Sequence, residues 1–302
     1  MSKKILVTGG TGLIGKHVVG ILARKGHEVR VYSRKPVKRE VGAKMYHWNP
    51  AKGELDKLAL KDLDCIVHLA GEGIADKPWS RRRKKQIIKS RTQGLDLIRK
   101  TYQDLGQAPK ALVSASAIGY YTHNRQSVNT ESGPKGRGFL AKSVYEWEKA
   151  VKAFEPLCST TRMRIGFVLS GEGGGLPQMA QPFRKGLGAP LGSGKQMVSW
   201  VHIDDVARGF VFAVENEASG VFNMVAPNPC TNKELSKSVA KSVGKWLLPI
   251  KVPAFVLRLA MGERADLVLA DNKVIPTRLL EEGFDFRYER VEEAVKVSLA
   301  YV

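Results

Sequence analysis

The sequence predicts an α/β protein: a doubly wound parallel sheet followed by a smaller C-terminal lobe. Short apolar runs alternate with stretches of helical periodicity from residue 4 to about 170. A glycine-rich turn, TGGTGLIG at 8–15, joins the first run to the first helix. After residue 170 glycine and proline rise, and short proline-bounded helices follow.

Residues 4–8, KILVT, form an apolar, β-rich run that leads into glycines. GLIGKHVVGILARKGH then places Leu13, Ile14, Val18, Val19, Ile21 and Leu22 at helical spacing, and Gly26 stops the helix. EVRVYSR is the second strand and AKMYHW the third, closed by Asn49 and Pro50. DCIVHLAG is a continuous apolar strand of the kind a parallel sheet covers on both faces. A long helix is predicted through about 80–104, a strand over KALVSASAIGYY, a helix over 138–155 and a strand over TRMRIGFVLS. GEGGGLPQMAQPFRKGLGAPLGSGKQ reads as loops over a site. VSWVHIDDVARGFVFAVEN is a strand, a loop and a helix returning to the main domain. The order implies right-handed βαβ units. Residues 1–225 then form the main domain, with 171–198 over the site, and 226–302 form a small lobe completing the substrate pocket.

The 302 residues are 43% hydrophobic, enough for a sizeable core. No run of about eighteen apolar residues occurs, so neither a membrane span nor a membrane partner is expected. The opening MSKKILV has the basic start and apolar stretch of a signal peptide, but glycines interrupt it at once, so it reads as an ordinary strand. Cys65, Cys158 and Cys230 lie far apart without metal-ligand spacing, which predicts no metal site and a reducing, cytoplasmic setting. The net charge of +20 is densest over residues 79–85, WSRRRKK. With no aromatic-interleaved motif beside it, that run reads as a solvated helix face rather than a nucleic-acid contact.

TGGTGLIG has the strand before it and the helix after it that phosphate binding needs. Gly9 permits the tight turn, Gly12 lets backbone approach a pyrophosphate, and Gly15 lets the helix pack on the sheet. Thr11, Leu13 and Ile14 complete the loop and the first helical turn, whose positive end faces the anion. This is the phosphate loop of a Rossmann-like fold. The second strand ends in Ser33, Arg34 and Lys35, where a reader of NAD places a carboxylate. A planar guanidinium there suits a 2′-phosphate, so the expected cofactor is NADP. Leu69, Ala70 and Gly71, ending the fourth strand, lie along the adenosine and ribose.

Tyr145 and Lys149, four apart on a predicted helix, offer a phenol beside an ammonium, a familiar acid–base pair. The surrounding text places it. TGGTGLIG, HLAGE, SASAIGYY and SWVHIDD together resemble the extended short-chain dehydrogenase/reductase superfamily. The chain is more closely similar to its atypical, epimerase-like branch, which carries a small C-terminal domain of unknown function. HLAGEGIADKPWS, PFRKGLGAPLGSGKQMVSWVHIDD and VPAFVLRLAMGERADLVLADNKVIP carry that likeness. The resemblance implies a Rossmann-like fold and NADP binding. It aligns Ser116 with the serine or threonine of the active site and Glu148 with a glutamate four residues beyond the lysine. The lysine position then falls on Val144 and the tyrosine position on Leu140. Tyr145 and Lys149 lie five residues off register, about 140° around the helix, and face away from the nicotinamide. Arg91 stands where the wider family has an asparagine.

In place of the missing pair, Ser116 can hydrogen-bond a substrate oxygen. Tyr120 and Tyr121, just past the strand end, either reach the same space or form its packed wall. Gln86 and Arg91 on the long helix, Ser114 on the strand and Phe167 behind the nicotinamide complete the cofactor set. His202, Asp204 and Asp205 resemble a metal or catalytic cluster, but an acid capping the following helix is the reading adopted. Glu263 faces either the pocket or solvent. The expected function is an NADP(H)-dependent oxidoreductase or epimerase-like protein acting on a small polar substrate. The alternative is a non-catalytic NADP(H) sensor that acts through a partner.

Overall fold

The computed structural model describes residues 1–34, 42–122 and 127–300. Lys35 therefore lies outside the described residues. From the N-terminus, β1 (Lys4–Thr8) enters α1 (Leu13–Arg24), and β2 (Glu28–Ser33) and β3 (Ala43–Asn49) follow. A short β4 (Glu54–Leu55) and β5 (Cys65–His68) precede the long α2 (Arg81–Leu105). Then come β6 (Ala111–Ala117), β7 (Val128–Asn129), α3 (Gly138–Lys152), β8 (Ser159–Ile165) and β9 (Phe167–Leu169). The next stretch holds α4 (Gly175–Arg184), β10 (Met197–Val198), β11 (Trp200–His202), α5 (Ile203–Glu215) and β12 (Gly220–Met224). The C-terminal part contains β13 (Cys230–Thr231), α6 (Asn232–Ser242), α7 (Ala254–Met261), α8 (Asp266–Leu269), β14 (Lys273–Val274), α9 (Thr277–Glu281) and α10 (Val291–Leu299).

The local causes are ordinary. In α1, Val18, Val19 and Leu22 fall on one buried stripe. Ser80 caps α2 by accepting the Arg83 amide, and Gly106, in the left-handed region, ends it. Thr231 and Glu234 close a reciprocal capping box at α6.

Among the described residues the main sheet runs β12-β8-β6-β5-β1-β2-β3-β4. All its pairings are parallel except β3 with β4. From β1 the chain winds outward through β2 and β3. From β5 it winds the other way through β6 and β8. The reversal opens a crevice beyond the carboxyl ends of β1 and β5, the place where such sheets take ligands. The doubly wound α/β fold expected from the sequence is the one observed.

Three local expectations change. TRMRIGFVLS is two strands, because at Gly166 the chain leaves the main sheet and β9 pairs with β11 instead. A Cβ at Gly166 would lie 2.8 Å from a Val225 methyl and closer still to the Ser199 carbonyl, so only glycine makes the crossing. The 171–198 segment holds a ten-residue helix, α4. Strand β12, on the edge of the main sheet, has no expected counterpart.

Two large packed regions result, beside a small one of Tyr121, Val225 and Val274. One fills both faces of the main sheet and takes in Leu279, Phe284 and Phe286 from the far C-terminal part. The other joins Leu176, Ala180 and Phe183 of α4 to Trp200, Leu235, Val239, Val291 and Val295. The chain after 225 thus contributes to both.

Candidate functional site

At the carboxyl end of β1, Gly9 takes φ +71° and the Gly12 amide donates to its carbonyl at 3.0 Å. A Cβ on Gly9 would sit 2.8 Å from the Leu69 carbonyl carbon, and one on Gly15 would overlap the Gly9 carbonyl oxygen. The turn is therefore a cradle closed to side chains. Gly12 is the N-cap of α1 and offers no side-chain cap, and no acid stands in the first turn. The open amides and the helix dipole leave a place for an anion. Thr11 and Gly12 are exposed, Leu13 and Ile14 half-buried.

The β5 exit is tied to β1 through His68. Its Nδ1 lies 2.8 Å from Thr8 Oγ1 and its Nε2 lies 3.1 Å from the Arg91 carbonyl. The Ala70 amide donates to the same Thr8 hydroxyl at 3.3 Å. A carbonyl only accepts, so Nε2 carries the proton and Thr8 donates to Nδ1. Burial pushes the imidazole down to about 4, which keeps it neutral. Leu69 and Ala70 are half-buried and Gly71 exposed, beside the Arg91 side chain.

Arg91 is held by protein acceptors. It donates to the Ile87 carbonyl at 3.0 Å, the Glu72 carbonyl at 3.0 Å and Ser90 Oγ at 3.3 Å, and it lies over the Trp147 ring. Burial lowers it to about 10, so it stays charged. Gln86 is exposed on the same helix, and Arg34 is exposed at the end of β2 beside half-buried Ser33.

Beyond β6 lies a buried ion pair. Ser116 Oγ donates to Glu148 at 2.6 Å, and Arg164 grips both oxygens of that carboxylate at 2.7 and 2.8 Å. Burial opposes the Arg164 charge, but Glu148 outweighs it and raises the guanidinium above its ordinary value. The Arg164 guanidinium sits 3.6 Å from the centre of the Tyr120 ring. Tyr120 is half-buried. Tyr121 is buried instead, its hydroxyl donating to Asn223 Oδ1 at 2.6 Å, and burial pushes it up to about 12. Ser114 is buried with its hydroxyl turned to the Ala115 carbonyl at 2.9 Å. Phe167 is half-buried and packs its ring against Gly175.

Residues 5–224 match the NAD dependent epimerase/dehydratase family, and residues 252–297 match a domain of unknown function, DUF1731. The chain belongs to the NAD dependent epimerase/dehydratase family. An epimerase family protein of Mycobacterium tuberculosis is 36% identical over 295 residues, with 96% of each chain covered. The crystal structure of human epimerase family protein SDR39U1 with NADPH superposes with a TM-score of 0.87 at 33% identity, covering 99% of each chain. A nucleoside-diphosphate sugar epimerase from Corynebacterium glutamicum gives 0.79 at 29% identity over all of this chain and 59% of its own. The resemblance read from the motifs is thus met along the whole chain.

In this family member Tyr145 and Lys149 are exposed, and Tyr145 stacks under Lys135 at 4.2 Å. The inward face of α3 carries Leu140 and Val144, within 3.5 and 3.8 Å of a Cβ built on Gly119. Glu148 continues that face. The side chains at the two inward positions cannot titrate.

The His202 cluster is structural, but a different residue does the capping. The His202 ring accepts the Asp204 amide at 3.2 Å, because His202 occupies the N-cap and the acids already lie inside α5. Asp205 accepts the amides of Arg287 and Tyr288 at 2.9 and 3.0 Å and fastens the C-terminal segment. No group of three metal-ligating side chains occurs among the described residues. Glu263 pairs with Lys84 on α2. In the basic run Arg83 is buried, paired with Glu72 and donating to the Gly73 carbonyl at 2.7 Å. The sequence reading missed both the Arg83 contact and the Glu148–Arg164 pair. A lone buried-type carboxylate on an apolar helix face, Glu148, was the available signal for the second.

Proposed function

We propose that this protein binds NADP(H) across the crevice at β1 and β5 and moves a hydride to or from an oxygen-bearing carbon of a small polar substrate. The observation that carries the reading is the uncapped N-terminus of α1 behind the Gly9–Gly15 cradle, at the reversal of the sheet. The amides of the first α1 turn hold the pyrophosphate, Ala70 and Gly71 flank the adenosine ribose, and Phe167 backs the nicotinamide. Arg34, with no carboxylate at the end of β2, favours the 2′-phosphate of NADP. The NADPH in the human relative supports the same choice. When bound, the nicotinamide supplies or accepts the hydride.

Proton handling falls to Tyr120. Its ring rests on the Arg164 guanidinium, which fixes its place at the end of β6. Ser116 spends its proton on Glu148 and so can only accept from a substrate hydroxyl. It and Glu148 act as positioning residues that fix Arg164. The 171–198 segment and the C-terminal lobe enclose the substrate, and the setting is cytoplasmic.

Leu140 and Val144 at the inward positions of α3 favour a second reading, a sensor that binds NADP(H) without turnover and signals through a partner. Calorimetry with NADPH and NADH, on the wild type and Arg34→Ala, tests the site. The expected result is a loss confined to NADPH; equal losses refute the NADP assignment. NADPH consumption with aldehydes, ketones, sugars and nucleoside-diphosphate sugars, compared with Tyr120→Phe, separates the readings. Binding without turnover across the panel selects the sensor, and no uptake of any dinucleotide removes both.

A further inference from the structure

The C-terminal lobe carries an apolar surface that the dinucleotide site does not use. Helix α7, AFVLRLAM, buries only Leu257. Phe255 is 71% exposed and Leu259, one turn on, 87%. Just before the helix, Trp246 is 90% and Ile250 64% exposed. Leu187 (66%) joins them, because the chain from 188 to 192 runs beside 248 to 252. The Leu248 amide donates to the Gly188 carbonyl at 2.9 Å, and the Val252 amide to that of Pro190 at 2.9 Å. Exposed Lys185, Lys241, Lys245 and Lys251 stand within a few residues of these side chains in the chain. Residues 235–262 contain no Asp or Glu.

We infer that this face docks on an anionic lipid bilayer, with Trp246, Phe255 and Leu259 entering the acyl boundary and the lysines meeting acidic headgroups. Large apolar side chains exposed together beside lysines unpaired among the described residues are the chemistry of an interfacial anchor, and the nearby acids Glu263 and Asp266 are taken up by Lys84 and Arg258. A tryptophan at its edge suits the headgroup level. A second copy is disfavoured, since two such faces would oppose like charges. The inference departs from the expectation of no membrane partner, which rested on the lack of a spanning segment. No helix among the described residues is long and apolar enough to cross a membrane, and an anchor lying in the interface needs none.

The molecule supplies its own probe. Trp48, Trp79, Trp147 and Trp200 are buried, so Trp246 is the one exposed tryptophan of the five. The full chain is mixed with vesicles of phosphatidylcholine, with and without phosphatidylglycerol, some bearing brominated acyl chains. Expected are co-sedimentation with the anionic vesicles only and quenching of Trp246 by the brominated chains. Leu187→Ser with Phe255→Ser and Leu259→Ser should weaken binding by about tenfold or more and abolish quenching. Their circular dichroism and melting temperature should stay unchanged. Lys245→Glu with Lys251→Glu, which keeps the apolar face, should weaken binding similarly, whereas Arg81→Ala with Arg82→Ala on α2 should not.

Binding without quenching means that the +20 charge alone holds the protein to the vesicle, and it overturns the inference. So does vesicle binding indifferent to both the serine and the glutamate variants. Absence of vesicle binding overturns it too, and points to a second copy if the wild type dimerises and the serine variant does not, or to an acidic protein partner if an acidic amphipathic peptide binds instead.

Discussion

The Ser116 hydroxyl donates to the Glu148 carboxylate across 2.6 Å, and Arg164 grips that carboxylate from the other side. These residues sit where β6, α3 and β8 meet, directly behind Tyr120. The ion pair couples the end of β6 to the face of α3 that carries Leu140 and Val144.

Breaking this pair should be costly. Arg164→Met leaves a buried carboxylate without its partner, and the expected loss is about 3–5 kcal/mol in urea denaturation. A loss below about 1 kcal/mol would show that the pair does not hold this part of the fold together.

His68 gives a pH dependence of definite sign. Its folded value of about 4 lies below the unfolded value of about 6.5. The unfolded chain therefore binds more protons between these limits, and stability rises with pH across that window. The contribution is complete above about 6.5 and is lost as pH falls toward 4, a span of about 3 kcal/mol. His68→Asn should flatten the slope between pH 4 and 6.5 relative to wild type, as read by unfolding midpoints at several pH values.

Gly15→Ala places a methyl against the Gly9 carbonyl. The loop must shift, so NADPH affinity should fall by about tenfold or more and stability by about 1–3 kcal/mol. Unchanged calorimetric binding would mean that the cradle does not hold the pyrophosphate.

Tyr145→Phe removes a hydroxyl from an exposed ring under Lys135. Stability should move by no more than about 0.5 kcal/mol, and any NADPH turnover should persist. Collapse of turnover would return the Tyr145–Lys149 pair to the active site.

His202→Ala removes the α5 cap and should cost about 1 kcal/mol. Asp205→Ala strips the acceptor from the part-buried amides of Arg287 and Tyr288 and from Arg208, and should cost more, about 2–4 kcal/mol, with protease nicking near 285–288 as the local readout.

Much of the fold was legible because its signals are local. Glycines spaced at 9, 12 and 15 between an apolar run and a helical stripe admit few other structures. The break at Gly166 was not, since a continuous apolar run reads the same whether it stays in one sheet or passes between two. Strand β12 escaped because GVFNM is too short to show a period. Tyr120 and Tyr121 are neighbours of one chemical type, and sequence left both open between site and wall. Arg164 lies over both rings, and burial separates them: Tyr120 is half-buried, whereas Tyr121 is buried with its hydroxyl donating to Asn223.

The sequence by itself determined the winding order and the glycine turn after β1, because strand period, helix period and glycine sterics act over a few residues. Only the tertiary structure decided where the charges are spent. Glu148 meets Arg164 sixteen residues away, Asp205 reaches the amides of 287 and 288, and Arg83 turns inward to Glu72. Desolvation, which makes a buried charge seek a partner, depends on how distant segments pack and leaves no periodic trace in the chain.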